Sequence, residues 1–168
     1  LPRRPYKVVA NIPYYITNAI IRLFLSSSHQ PTDMSLLVQK EVAERIARDV
    51  KESILSLSVK VYGTPHYVTK VPARYFNPKP KVDSAVIYIG AISQSMFIDY
   101  KIQEGDFFAV VKQGFAHKRK QLASNLGERF LNKERWKDFL VSRGYPSTAR
   151  AENVLLNDWI FFASKVKK

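Results

Sequence analysis

Cysteine is absent from the 168 residues, which excludes disulfides and thiolate metal sites. Histidine is scarce. His29, His66 and His117 stand far apart, without the spacings that metal ligands adopt, so no metal centre is expected. Long apolar runs are also missing: the best candidate, residues 19–25, is interrupted by Arg22 and falls well short of the ~20 residues a bilayer span requires. No internal repeat or low-complexity tract is evident. A soluble protein of the cytoplasm is the expectation. Acidic residues are the other shortage, with 14 Asp and Glu facing 27 Lys and Arg for a formal net charge of +13. The excess runs along the whole chain, 13 against 7 in residues 1–100 and 14 against 7 in residues 101–168. So basic a protein is expected to meet a polyanion, because phosphate contacts supply most of non-specific nucleic-acid affinity.

What is present is enough apolar matter for a packed fold, 46% of the residues. Residues 6–10 (YKVVA) read as a buried strand ending at the turn Asn11-Ile12-Pro13. Thr17 is expected to cap a helix through Ala19, Ile20, Leu23 and Phe24. Residues 34–39 (MSLLVQ) read as a second strand, and residues 40–49 as an amphipathic helix in which Glu41, Glu44 and Arg45 form intrahelical pairs. Ser53 is expected to open a helix over residues 54–62, stopped by Gly63 and Pro65. Residues 66–71 alternate like a strand, and residues 82–89 (VDSAVIYI) form a β-branched run. This alternation is the signature of an α/β sheet. After a linker near residues 90–95 no strand is expected. Helical periodicity fills residues 106–115, 118–126, 133–142 and 157–166. The reading is a half α/β domain over residues 1–92, followed by a small all-α domain over residues 96–168.

The most informative tetrapeptide is Asn11-Ile12-Pro13-Tyr14, directly after a buried strand. Ligands of open α/β sheets bind outside the carboxyl ends of the strands. The Asn11 side-chain carbonyl and a backbone carbonyl near Ile12 can accept the two hydrogens of an exocyclic amine. Pro13 has no N–H, which leaves the turn rigid and rich in acceptors. Tyr14 offers a face for a base to stack on, worth about 1–3 kcal/mol. Such a site needs no strongly perturbed acid or base. Orienting the amine toward a methyl donor is mainly positioning, and a target base would have to leave its stack to reach it.

The turn NIPYYIT (residues 11–17), VQKEVAERI (38–46) and FNPKPKVDSAV (76–86) occur in order, followed by QGFAHKRKQLASNL (113–126) and RAENVLLNDW (150–159). On these segments the chain resembles the KsgA-type ribosomal RNA adenine dimethyltransferases, whose relatives include the Erm macrolide-resistance methyltransferases. The resemblance implies the C-terminal half of a Rossmann-like class I methyltransferase sheet, strands four to seven ordered four, five, seven, six, followed by a helical RNA-binding domain. It implies S-adenosylmethionine-dependent dimethylation of two adjacent adenines in small-subunit ribosomal RNA, a role in ribosome biogenesis, and a monomer acting on the ribosomal particle. It assigns Asn11, Ile12 and Pro13 to orienting the amine, Tyr14 and Phe76 to packing against the flipped adenine, and Asn11 to a cofactor contact. Lys79 and Lys81, on a loop stiffened by Pro78 and Pro80, are RNA-binding candidates. So are Lys118, Arg119 and Lys120, read as opening a basic helix.

The family's glycine-rich cofactor turn has no counterpart here: the six glycines form no Gly-x-Gly pattern. The chain also begins with Leu1, and on this map it starts at the family's fourth strand. A fragment is therefore expected, binding cofactor weakly or not at all and transferring no methyl group alone. Three other readings stay open. One is a non-catalytic RNA-binding or ribosome-assembly module, another an Erm-type enzyme acting on large-subunit RNA, and the last a DNA adenine methyltransferase. Ile12, where the DNA enzymes more often carry proline, counts against the last.

Overall fold

The computed structural model describes residues 4–166. The outermost residues of the two expected domains, 1–3 and 167–168, lie outside it. The chain forms two compact units. One comprises the residues up to Asp49 together with Leu55–Gln94, and the other Val50–Ile54 together with the residues from Ser95 onward.

The first unit is a four-stranded sheet with helices. Its strands are β1 (Lys7–Asn11), β2 (Asp33–Gln39), β3 (Thr64–Val71) and β4 (Ser84–Gly90), in the spatial order β1-β2-β4-β3. β1 runs parallel to β2, whereas β4 is antiparallel to both β2 and β3. The order is the one that the resemblance implies, and the sheet is mixed. Register follows hydrophobicity. Met34, Leu36 and Val38 alternate along β2 and stand opposite Ile89, Ile87 and Ala85 of β4, all six fully buried on one face. Cross-strand apolar pairs of this kind hold a register, because a slip by one residue would turn each of them to the other face. Val8 and Ala10 continue the row onto β1, opposite Met34 and Leu36.

Helix α1 (Thr17–Leu25) buries Thr17, Ile21 and Leu25, spaced by four, and α2 (Lys40–Ala47) buries Ala43 and Ile46 against β3 and β4. The expected pairs of α2 are present: Arg45 bonds Glu41, and Lys40 meets Glu44 at 3.5 Å. Helix α3 (Ile54–Lys60) follows. Pro65 does not stop that helix from outside; it lies within β3, an edge strand, where a missing N–H is tolerated.

Thr17 is not the cap the sequence suggests. The Ile16 N–H donates to the Pro13 carbonyl at 3.1 Å and the Thr17 N–H to the Tyr14 carbonyl, closing a 3₁₀ turn at Tyr14–Ile16. The backbone is already helical before Thr17, whose hydroxyl is buried with no hydrogen-bond partner among the described residues.

The second unit holds α4 (Ser95–Asp99), α5 (Glu104–Gly114), α6 (Leu122–Gly127), α7 (Lys133–Ser142) and α8 (Leu156–Ser164). The short α4, five residues long, has no periodicity that the sequence shows as a helix. Asn132 caps α7 by accepting the Arg135 N–H at 2.9 Å. The core is aromatic. Phe107, Trp136, Trp159 and Phe162 are fully buried, with Trp136 edge-on to Phe162 at 5.5 Å and Phe115 stacked on Trp159 at 5.5 Å. A Cβ added at Gly114 would lie 2.3 Å from the Trp159 ring, so no larger residue fits there without movement. Asp158, nearly buried, accepts from Arg143 Nε at 2.5 Å and from the Tyr145 hydroxyl at 2.6 Å. Burial, and then the bond to Asp158, raise the Tyr145 phenol above its ordinary pKa. The segment Val50–Ile54 joins this unit through Lys51, which meets Glu152 at 2.6 Å, and through the Glu52 N–H, which donates to the Glu152 carbonyl at 2.8 Å.

Candidate active site

The parallel strands β1 and β2 end at Asn11 and Gln39, and their antiparallel neighbour β4 begins at the same end with Ser84, which pairs with both Gln39 and Val71. The turn after Asn11 and the β3–β4 loop of residues 72–83 therefore leave one edge of the sheet, where open α/β sheets bind their ligands.

Asn11 is the last residue of β1 and pairs with Leu37, so its backbone is set by the sheet. The Ile12 N–H donates to the Leu37 carbonyl at 3.2 Å, and the Ile12 side chain is buried, which anchors the turn from below. Pro13, at φ −56° and ψ 131°, leads the chain into the 3₁₀ turn. The exposed Asn11 side chain and the Ile12 carbonyl engage no hydrogen-bond partner among the described residues. Two acceptors at a fixed strand end are thus left open. Tyr14 is half-buried, and its hydroxyl lies 2.6 Å from the hydroxyl of the fully buried Ser84, seventy residues away in sequence. That bond fixes the tilt of the ring. Nothing local in the sequence marks Ser84 as part of the site, because its partner hydroxyl is seventy residues away.

Phe76 is half-buried in extended backbone, with its N–H donating to the Ala73 carbonyl at 3.2 Å. Asp83 clips the loop shut. Its carboxylate accepts the Ala73 N–H at 2.9 Å and meets Lys70 at 2.8 Å, while its carbonyl accepts the Lys40 N–H at 3.0 Å. Lys70, followed by the Ala73 N–H, holds the Asp83 carboxyl below its ordinary pKa, and Asp83 raises Lys70 in turn. Lys79 and Lys81 are exposed and form no ion pair among the described residues.

Lys118, Arg119 and Lys120 belong to the other unit, and they do not open a helix. They lie in a turn between α5 and α6, and α6 begins only at Leu122. The cause is Asn125, whose buried amide donates to the carbonyls of Gly114 at 2.6 Å and His117 at 3.2 Å, drawing the chain out of helical bonding. Lys120 meets Glu128 at 3.0 Å and holds that carboxyl below its ordinary pKa. Among the described residues no group of three or more acidic or histidine side chains could hold a metal, and no helix is long and apolar enough to cross a membrane.

Residues 2–153 match the family model described as "Ribosomal RNA adenine dimethylase". The chain is 39% identical over 157 residues to the ribosomal RNA small subunit methyltransferase A of Dehalococcoides mccartyi (strain ATCC BAA-2266 / KCTC 15142 / 195), covering 92% of this chain and 53% of the relative. It is 40% identical over 156 residues to the protein of the same name from Fusobacterium nucleatum, covering 92% and 59%. The chain thus spans little more than half the length of these curated relatives. Among solved structures, the 23S rRNA methyltransferase ErmE superposes with a TM-score of 0.76 at 22% identity, covering all of this chain and 68% of that one. A dimethyladenosine transferase from Plasmodium falciparum gives 0.76 at 24%, covering 95% and 66%. At those identities the likeness shows the fold, a Rossmann-like methyltransferase sheet. The matched family model and the relatives near 40% identity establish that this chain belongs to the ribosomal RNA adenine dimethylase family.

Proposed function

We propose that this chain carries the acceptor-base side of an adenine dimethyltransferase that modifies small-subunit ribosomal RNA in the cytoplasm. The observation that carries the reading is the pair of unengaged acceptors, the Asn11 amide and the Ile12 carbonyl, at the end of β1 beside the Tyr14 ring tethered to Ser84. An adenine N6 amine would donate one hydrogen to each acceptor, which directs its lone pair away from the turn. With both hydrogens held, the unmethylated nitrogen needs no separate base to be aimed; each transfer would release one proton to water, and the second would proceed with the remaining hydrogen held by one acceptor. This is catalysis by positioning, for which effective molarity supplies roughly 7–11 kcal/mol. The Tyr14 face would stack on the base and stabilise positive charge as it develops on nitrogen. Phe76 would close on the base from the β3–β4 loop, with Lys79 and Lys81 meeting phosphates. In the helical unit, Lys118, Arg119 and Lys120 would add phosphate contacts. The curated relatives favour a small-subunit target over the Erm-type alternative.

S-adenosylmethionine, which the family implies, would supply an electrophilic methyl group. The residues present do not build its cradle. Asn11 is the one contact that the resemblance offers, and no two glycines form a Gly-x-Gly turn. The 168 residues alone are therefore expected to bind the cofactor weakly or not at all.

The test is methyl transfer to unmethylated small ribosomal subunits, using the gene extended upstream to its own start codon and the 168-residue chain beside it. The long form should dimethylate adjacent adenines, the short form none. In the long form Asn11→Ala should lower kcat about 100-fold, the cost of removing one preorganised polar contact. Full activity of the Asn11→Ala enzyme would sink the assignment of the turn, and no transfer by the long form would sink the enzyme reading.

A further inference from the structure

In the sheet unit, two aromatic side chains stand open to water beyond all others. Tyr15 is 89% exposed and Tyr75 is 69% exposed. Both lie on turns that leave the edge of the sheet where β1 and β2 end, Tyr15 beside Tyr14 and Tyr75 beside Phe76. Neither ring packs into a core, so each leaves an aromatic face on which a base can stack. The surrounding charge is mostly positive, and the loop's acidic residue, Asp83, is paired with Lys70 at 2.8 Å. Residues 72–82 hold Arg74, Lys79 and Lys81 and no acidic residue. The Arg74 guanidinium carbon lies 5.2 Å from the centre of the Tyr75 ring, and its Nη2 donates to the Tyr75 hydroxyl at 3.4 Å. A guanidinium held against an aromatic ring presents stacking surface and charge together, the combination that single-stranded nucleic acid engages.

We infer that Tyr15 and the Arg74–Tyr75 pair form a flanking-nucleotide subsite, which stacks the unpaired RNA bases on either side of the target adenine. The inference rests on the adenine-site reading and extends it. β1 and β3, which the two turns follow, lie three strand spacings apart, about 14 Å, so the two rings stand on separate turns at one end of the sheet. A base held between Tyr14 and Phe76 would have its two neighbours beside Tyr15 and Tyr75, the residues next to them in the chain. A base stacks on any aromatic face whatever its identity, so the subsite would hold the strand splayed open without reading sequence. Arg74, Lys79 and Lys81 would track its phosphates.

The test is equilibrium binding of the 168-residue chain to a single-stranded RNA of about eight nucleotides with two central adenines, and to the same strand with abasic flanks. Tyr75→Ala should weaken binding to the intact strand about 5- to 150-fold, the effect of one lost base–aromatic stack. Tyr75→Phe, which keeps the ring, should restore affinity. Abasic flanks should bring the wild-type chain below Tyr75→Ala, to the level of the Tyr15→Ala, Tyr75→Ala double variant on the intact strand, and leave that double variant unchanged. Lys81→Ala should instead flatten the salt dependence, by a slope of about 0.7 for a single strand. Equal affinity of wild type and Tyr75→Ala for the intact strand overturns the subsite. Tyr14→Ala separates the two readings: a loss that persists on abasic flanks keeps the adenine site even where Tyr75→Ala shows that the subsite fails. No binding of either strand by any form overturns both.

Discussion

The two units use their aromatic residues in opposite ways. In the helical unit the largest side chains are fully buried, and Phe107, Trp136, Trp159 and Phe162 make the core. In the sheet unit the largest fully buried side chains are aliphatic, among them Ile21, Leu25, Met34, Leu36, Ile87 and Ile89, while Tyr15 and Tyr75 stand in water. A pleated sheet already interdigitates flat rows of branched side chains, so it needs no large rings to fill space. Five short helices leave irregular gaps, which broad rings fill. The sheet unit is thereby free to place rings where a base can reach them.

The contrast makes graded predictions. Trp159→Ala should cost about 3–5 kcal/mol of stability in equilibrium urea unfolding, as a fully buried ring is lost and a cavity remains. A loss below 1 kcal/mol would mean that the aromatic core does not carry the helical unit. Gly114→Ala, which drives a methyl into the Trp159 ring, should cost about 1–3 kcal/mol in the same assay.

Acid should act on the β3–β4 loop. The Asp83 carboxyl is held below its ordinary pKa by Lys70 and the Ala73 N–H, so the stability it adds is present above the unfolded value of about 3.9 and is lost as pH falls through the lower folded value. Hydrogen exchange of the Ala73 amide should accelerate over that window, relative to its intrinsic rate. Asp83→Asn, which keeps an acceptor for the amide but cannot ionise, should remove the pH dependence. Smallest of all, Tyr15→Ala and Tyr75→Ala should change stability by no more than about 0.5 kcal/mol, as exposed side chains do. A larger loss would mean that these rings support the fold.

Much of the sheet unit was legible because strands announce themselves by β-branched alternation. β2 and β4 fall within a residue or two of where MSLLVQ and VDSAVIYI place them. The strand order was not legible from periodicity and came only with the resemblance. Local side-chain bonding hid the rest. The run of Lys118, Arg119 and Lys120 has helical spacing, yet Asn125 captures the carbonyls that would have extended α5. Thr17 has the right chemistry for a cap, yet the preceding 3₁₀ turn leaves it nothing to cap. Of the candidate site, the turn Asn11-Ile12-Pro13-Tyr14 could be read directly. Its tether to Ser84 crosses seventy positions, and no local pattern encodes such a pairing.

The short stretch Val50–Ile54 gives the polypeptide an unusual itinerary. The backbone passes from the first unit to the second at residue 50, returns at residue 55, and leaves again at residue 95. A single protease nick near residue 95 would therefore not yield two self-sufficient pieces. The helical fragment would forfeit a segment that Glu152 grips through both Lys51 and the Glu52 backbone. Severing the chain cleanly takes three cuts.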